Sequence, residues 1–186
     1  MADAVGKRMA KRFEQSLELG DCIIVASNSV VSDGVEWIQN GTVSHNTIYV
    51  GDGKVVEATI TGVKRQEVSQ YYVDKYNIAI RRIKDITAEQ QANIVKGVSA
   101  YIGKPYDYWQ IFTLGIFHLF RKCFGVTWYW LIGQSREDVM ICSELFCQGC
   151  LTAEIHLFPD INIKAVTPQM LYETDKMFTV KDTISI

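Results

Sequence analysis

The sequence predicts an α+β protein with its strands early in the chain and a helix carrying Cys142 late in it. Three observations lead there. Short β-type runs crowd the first half of the chain, helical signals crowd the second, and a Gly51-Asp52-Gly53 turn joins two runs into a hairpin. Strands followed by grouped helices argue against the alternating pattern of a parallel sheet. With 186 residues, 48% hydrophobic and 22% charged, the chain can bury one sizeable core, so a single domain over residues 1–186 is expected.

Taken in order, residues 3–16 form a charged N-terminal helix within segment 1–18, and Gly20-Asp21 turns the chain into CIIVA at 22–26, a buried strand. Residues 27–41 are rich in Ser, Asn, Asp and Gly and read as a loop. VSHNTIYV (43–50) and KVVEATI (54–60) are the hairpin strands, and YNIAIRR (76–82) supplies another. Thr87 with Gln90 makes a capping box for a helix of about fifteen residues ending near Gly103. A second helix is expected over 106–120. Arg136-Glu137-Asp138 then precedes VMICSELFCQGC, a helix with Cys142 near its start. Pro168 opens a last short helix, and MFTVK (177–181) forms a final strand.

Segment 109–135 is apolar, aromatic-rich and insertion-like. Its most apolar run, Trp109 to Phe120, has about twelve residues where a membrane span needs about twenty, and Arg121-Lys122 closes it. It reads as core helices or as an apolar surface for a lipid or membrane interface.

The hairpin register is decidable from the pattern of side chains. A two-residue loop sets Ile48 against Glu57 and mixes apolar with polar positions across the ladder. A three-residue loop with a left-handed bulge at Gly53 sets Ile48 against Val56, with Val50, Ala58 and Ile60 on the same apolar face. This second register is expected. It puts His45, Thr47, Tyr49, Val55, Glu57 and Thr59 on the other face, with Glu57 diagonal to His45 and within reach of its ring. A carboxylate there can fix the imidazole's tautomer and stabilise the imidazolium, as a nucleophile's base requires.

Cys142 sits where a helix N-terminus would lower its pKa and where backbone N–H groups could stabilise an oxyanion. A lone helical cysteine is more commonly a small buried hydrophobe, and Cys147 and Cys150 are assigned that role. Cys147 and Cys150 form a CxxC-like pair, but no second CxxC or HxxxH accompanies them; no metal and no cofactor is expected. His118 and His156 are read as structural or solvent-facing.

Four segments in this order, LGDCIIV (19–25), SHNTIYVGDGKVVEA (44–58), GKPYDY (103–108) and ICSELF (141–146), resemble the permuted NlpC-type papain-like cysteine peptidases and amidases, the YiiX-like group. The histidine strand precedes the cysteine helix, as the permuted topology has it, whereas Asn46 stands where a small apolar residue is more usual. The resemblance implies a circularly permuted papain-like fold, an antiparallel sheet or small barrel packed against the cysteine helix, with Cys142 as nucleophile, His45 as base and Glu57 as orienting residue. Tyr106 and Asp107 match a segment of that group and are read as pocket or structural residues; with Ser143, in the first turn of the cysteine helix, they are the candidate substrate contacts. The implied reaction is cleavage of an amide (peptide or isopeptide) or ester bond through a thioester. Related lecithin–retinol acyltransferase-like proteins pass the acyl group on instead.

A net charge of -2 gives no field to draw nucleic acid, so the expected partners are a peptide, isopeptide or acyl conjugate and, through the apolar segment, a lipid or membrane surface. The first twenty residues lack the apolar run of a secretory signal, and five cysteines cannot all pair; both predict a cytoplasmic protein with free thiols. Two further functions stand beside the hydrolase: a thiol acyltransferase or lipid hydrolase at a membrane surface, and a non-catalytic binding module on the same scaffold.

Overall fold

The computed structural model describes residues 13–27, 43–59, 61–72, 76–105 and 141–184. The expected N-terminal helix lies outside them up to residue 12, as do the loop at 28–42, the helix at 106–120 and the rest of the apolar segment 109–135.

Six strands form one open antiparallel sheet in the order β4-β3-β2-β1-β5-β6, not a closed barrel. They are β1 (Cys22–Ser27), β2 (His45–Gly51), β3 (Lys54–Thr59), β4 (Gly62–Glu67), β5 (Tyr76–Ile83) and β6 (Met177–Asp182). Among the described residues three α-helices follow β5: α1 (Ala88–Ser99), α2 (Cys142–Thr152) and α3 (Pro168–Glu173). The reciprocal Thr87–Gln90 capping box is present at the start of α1.

Alternation along the strands divides the core between two faces. Cys22, Ile24, Ile48, Val56 and Ala58 pack with Leu145, Phe146 and Cys142 of α2. Ile23, Val25, Tyr49, Val55, Ile78 and Ile80 cluster with Phe13, Leu17 and Tyr71 on the other face. Helix α2 lies close against α1 because both contacting surfaces carry glycine. A Cβ on Gly149 would stand 2.6 Å from Val98 Cγ1, and one on Gly97 would stand 2.6 Å from Thr152 Oγ1.

The hairpin has the register that segregates apolar from polar side chains: Ile48 pairs with Val56 and Tyr49 with Val55. The extra residue sits elsewhere than expected. Asp52 (φ 52°) and Gly53 (φ 67°) make a two-residue turn with both centres left-handed, and the irregularity falls between Tyr49 and Gly51. The bulge inside β2 corrects the register that the short turn alone would give.

Strand β4 was not expected. Its GVKRQE sequence buries only Gly62 and Val63, because β4 is an edge strand whose later side chains face solvent.

The segment before β1 is fixed by one ionic cluster. Asp21 is buried and takes a bidentate bond from Arg82 of β5, at 2.7 and 2.8 Å. Arg82 also reaches Glu18 and, at 2.9 Å, the Ser16 carbonyl. Burial raises the Asp21 pKa more than its partners lower it, so its ionised state depends on Arg82 staying in place.

Candidate active site

Cys142 is the first residue of α2, after Ile141 at the N-cap. The unpaired N–H groups of a first helical turn carry partial positive charge, which favours a thiolate. The backbone of Ser143 and that of Asn46, from the start of β2, both act to lower the Cys142 pKa. The fully buried Asn46 also donates from Nδ2 to the Cys142 carbonyl at 3.2 Å, tying strand to helix. The departure from a small apolar residue at this position thus has a structural role.

His45 is the first residue of β2, and its Nε2 stands 2.9 Å from Glu57 Oε2. A carboxylate only accepts, so Nε2 is the donor and the other ring nitrogen is left for Cys142, whose influence raises the pKa of the ring against burial. The imidazole is a quarter exposed, whereas the Glu57 side chain is buried. The Tyr71 hydroxyl donates to the same carboxylate oxygen.

The electrostatics follow from this series of contacts. Burial works against the Cys142 thiolate, but His45 and the backbone of Asn46 and Ser143 outweigh it, so the thiol pKa is lowered. Burial likewise works against the imidazolium; Cys142 and Glu57 outweigh it and push the His45 pKa up to about 10. For Glu57, burial raises the pKa, and His45 with Tyr71 brings it below the ordinary value. The favoured state is a thiolate–imidazolium pair backed by a carboxylate.

The other described cysteines behave oppositely. Burial pushes the Cys147 thiol up to about 12 and raises Cys22 and Cys150 well above the ordinary value. Among the described cysteines, Cys142 alone is poised to ionise.

Ser143 is also at the site, but its side chain is not: the hydroxyl is buried and donates to the Val166 carbonyl at 2.5 Å. What Ser143 offers is its backbone N–H. Tyr106 and Asp107 lie outside the described residues. His156 is exposed, and His118 lies outside the described residues.

Asn46 and Tyr71 are the site residues that sequence reasoning missed as contributors. Asn46 was visible as a polar residue on an apolar face beside His45. Tyr71 gave no signal, since its turn follows a strand that was itself unexpected.

A cavity of about 120 Å³ opens beside the later part of α2, lined by residues that include Cys147, Cys150, Leu157 and Phe158 but not Cys142. Among the described residues no helix is long and apolar enough to cross a membrane.

A His–carboxylate pair on an antiparallel sheet, set against the start of a later cysteine helix, defines the permuted papain-like class. The chain belongs to one family of that class: residues 16–180 match the family described as permuted papain-like amidase enzyme, YaeF/YiiX, C92 family. Membership supports a cysteine-type hydrolase in general terms.

Probable lipoprotein peptidase YaeF of Escherichia coli (strain K12) is 28% identical over 92 residues, which are 50% of this chain and 34% of that protein. The match thus spans about a third of the curated relative's length. A crystal structure described as metalloprotein yiiX from Escherichia coli O157:H7 superposes with a TM-score of 0.53 at 21% identity, covering 90% of this chain and 98% of that one. That likeness is one of fold. Among the described residues no group of three or more His, Cys, Asp or Glu side chains is placed to hold a metal ion.

Proposed function

We propose that this protein is a cysteine hydrolase that cleaves an amide or ester bond through a thioester on Cys142. The carrying observation is Cys142 at the first position of α2, tied through Asn46 to the start of β2, where the His45 imidazole is held by buried Glu57. The thiolate attacks the carbonyl carbon, and the oxygen takes up negative charge near the start of α2, where first-turn N–H groups can donate to it. The imidazolium of His45 protonates the leaving nitrogen or oxygen as its bond to carbon breaks. His45, now neutral, takes a proton from water; the hydroxide adds to the thioester carbonyl, and the thiolate leaves. Glu57 keeps the ring oriented throughout and balances its positive charge. The substrate class is a peptide, isopeptide or acyl conjugate.

A second reading is acyl transfer or lipid hydrolysis at a membrane surface. It is supported by the apolar runs Trp109 to Phe120 and Phe124 to Ile132.

Intact-mass measurement during incubation with short peptide amides and acyl esters tests the proposal. A hydroxylamine-labile acyl adduct on Cys142 is expected, absent from Cys142→Ala. Turnover that survives in Cys142→Ala would overturn it. Flotation with anionic liposomes addresses the second reading, which loses its support if the protein stays unbound.

A further inference from the structure

Tyr71 lies on a 3-10 turn, Val68–Tyr72, between β4 and β5. The turn is anchored to the hairpin that carries Glu57, because the Val68 N–H donates to the Gly53 carbonyl at 2.8 Å. The Tyr71 ring is only 6% exposed and belongs to the cluster with Val55, Ile78 and Ile80. Its hydroxyl emerges from that cluster onto Glu57 Oε2, the same oxygen that faces His45 Nε2.

A ring needed only to fill the core would have no use for a hydroxyl aimed at a buried acid. A carboxylate held by the imidazole alone could turn about its side-chain bonds and take the ring with it. Two donors converging on one oxygen from different elements remove that freedom. Lys64, paired with Glu57 across β3 and β4, adds a longer-range positive charge to the same acid.

We propose that Tyr71 is a positioning residue for the Cys142–His45 pair, acting through Glu57: its hydroxyl fixes the carboxylate, and the carboxylate fixes the imidazole. The inference rests on the proposed function. It predicts that the tyrosine hydroxyl, not its ring, sets how far down in pH the Cys142 thiolate survives.

Tyr71→Phe keeps the ring and deletes the hydroxyl. The test follows the rate of iodoacetamide alkylation of Cys142 against pH, read by peptide mass, in folded wild type and in Tyr71→Phe. The acid limb is expected to move to higher pH, so that alkylation at mildly acid pH falls about 10-fold, the scale of one hydrogen bond to a charged group. In a Glu57→Gln background the same change should have no further effect, since Tyr71 then has no carboxylate to fix. Site-specific 3-fluorotyrosine at position 71, a stronger donor of nearly the same shape, should move the limb the opposite way and serves if Tyr71→Phe does not fold.

Coincident profiles for wild type and Tyr71→Phe, or an equal effect of Tyr71→Phe with and without Glu57, would overturn the positioning role alone. A wild-type Cys142 that shows no alkylation below the pH range of an ordinary thiol would instead overturn the reading beneath it.

Discussion

Replacing Glu57 with Gln keeps the shape of the side chain and removes a negative charge 2.9 Å from His45 Nε2. The imidazolium owes its pKa of about 10, against 6.5 for the free group, to Cys142 and Glu57 acting over the cost of burial. Because that pKa is raised, the stabilisation from its partners is fully present below about 6.5 and is lost as pH rises through about 10. The lowered Cys142 pKa works in the other direction: its contribution is present above 9.0 and is lost as pH falls through the folded value. Glu57→Gln weakens both ends. A hydrogen bond to a charged group contributes about 1.5–3 kcal/mol, which is roughly a 10- to 100-fold change in proton affinity. Turnover should slow by about the same factor with the fold intact. The assay is alkylation of Cys142 against pH in both proteins, with circular dichroism to verify folding. The acid limb of the window of thiolate reactivity should move to higher pH in Glu57→Gln. An unchanged window would mean that the carboxylate is a bystander to the imidazole, and the orienting role would pass to another residue.

Two substitutions test the scaffold. Arg82→Ala strands the buried Asp21 carboxylate without its bidentate partner and should cost about 3–5 kcal/mol in urea unfolding; a change within error would mean that Asp21 is not an ion-pair anchor. Gly149→Ala drives a methyl group to 2.6 Å from Val98 Cγ1 and 3.2 Å from the Ile94 carbonyl, so about 1–3 kcal/mol should be lost as α1 and α2 separate. A neutral result there would show that the helices part without cost.

The parts of the fold legible in the sequence were those encoded over a few residues. Alternation in HNTIYVG and KVVEAT selected the register that brings Glu57 to His45, because slipping by one residue would have turned each strand's apolar set against the other's polar set. The Thr87–Gln90 box and the start of α2 beside Cys142 were legible for the same local reason. The detail of the turn was not: a glycine-rich triplet permits either a longer loop or a short turn with a bulge before it, and both give one register. Strand β4 escaped because an edge strand needs no second apolar face. Tyr71 and Asn46 escaped because their roles depend on partners 14 and 96 residues away in the chain, and no periodicity records such contacts.

The central claim is that one thiol in this chain is held ionised by one imidazole. Limited iodoacetamide treatment of the native protein at mildly acid pH, followed by peptide mapping of all five cysteines, tests it most directly. The account predicts that Cys142 is modified first and far ahead of Cys22, Cys147 and Cys150, and that His45→Ala abolishes this preference. Equal modification of the four, or a preference that survives the loss of His45, would contradict it.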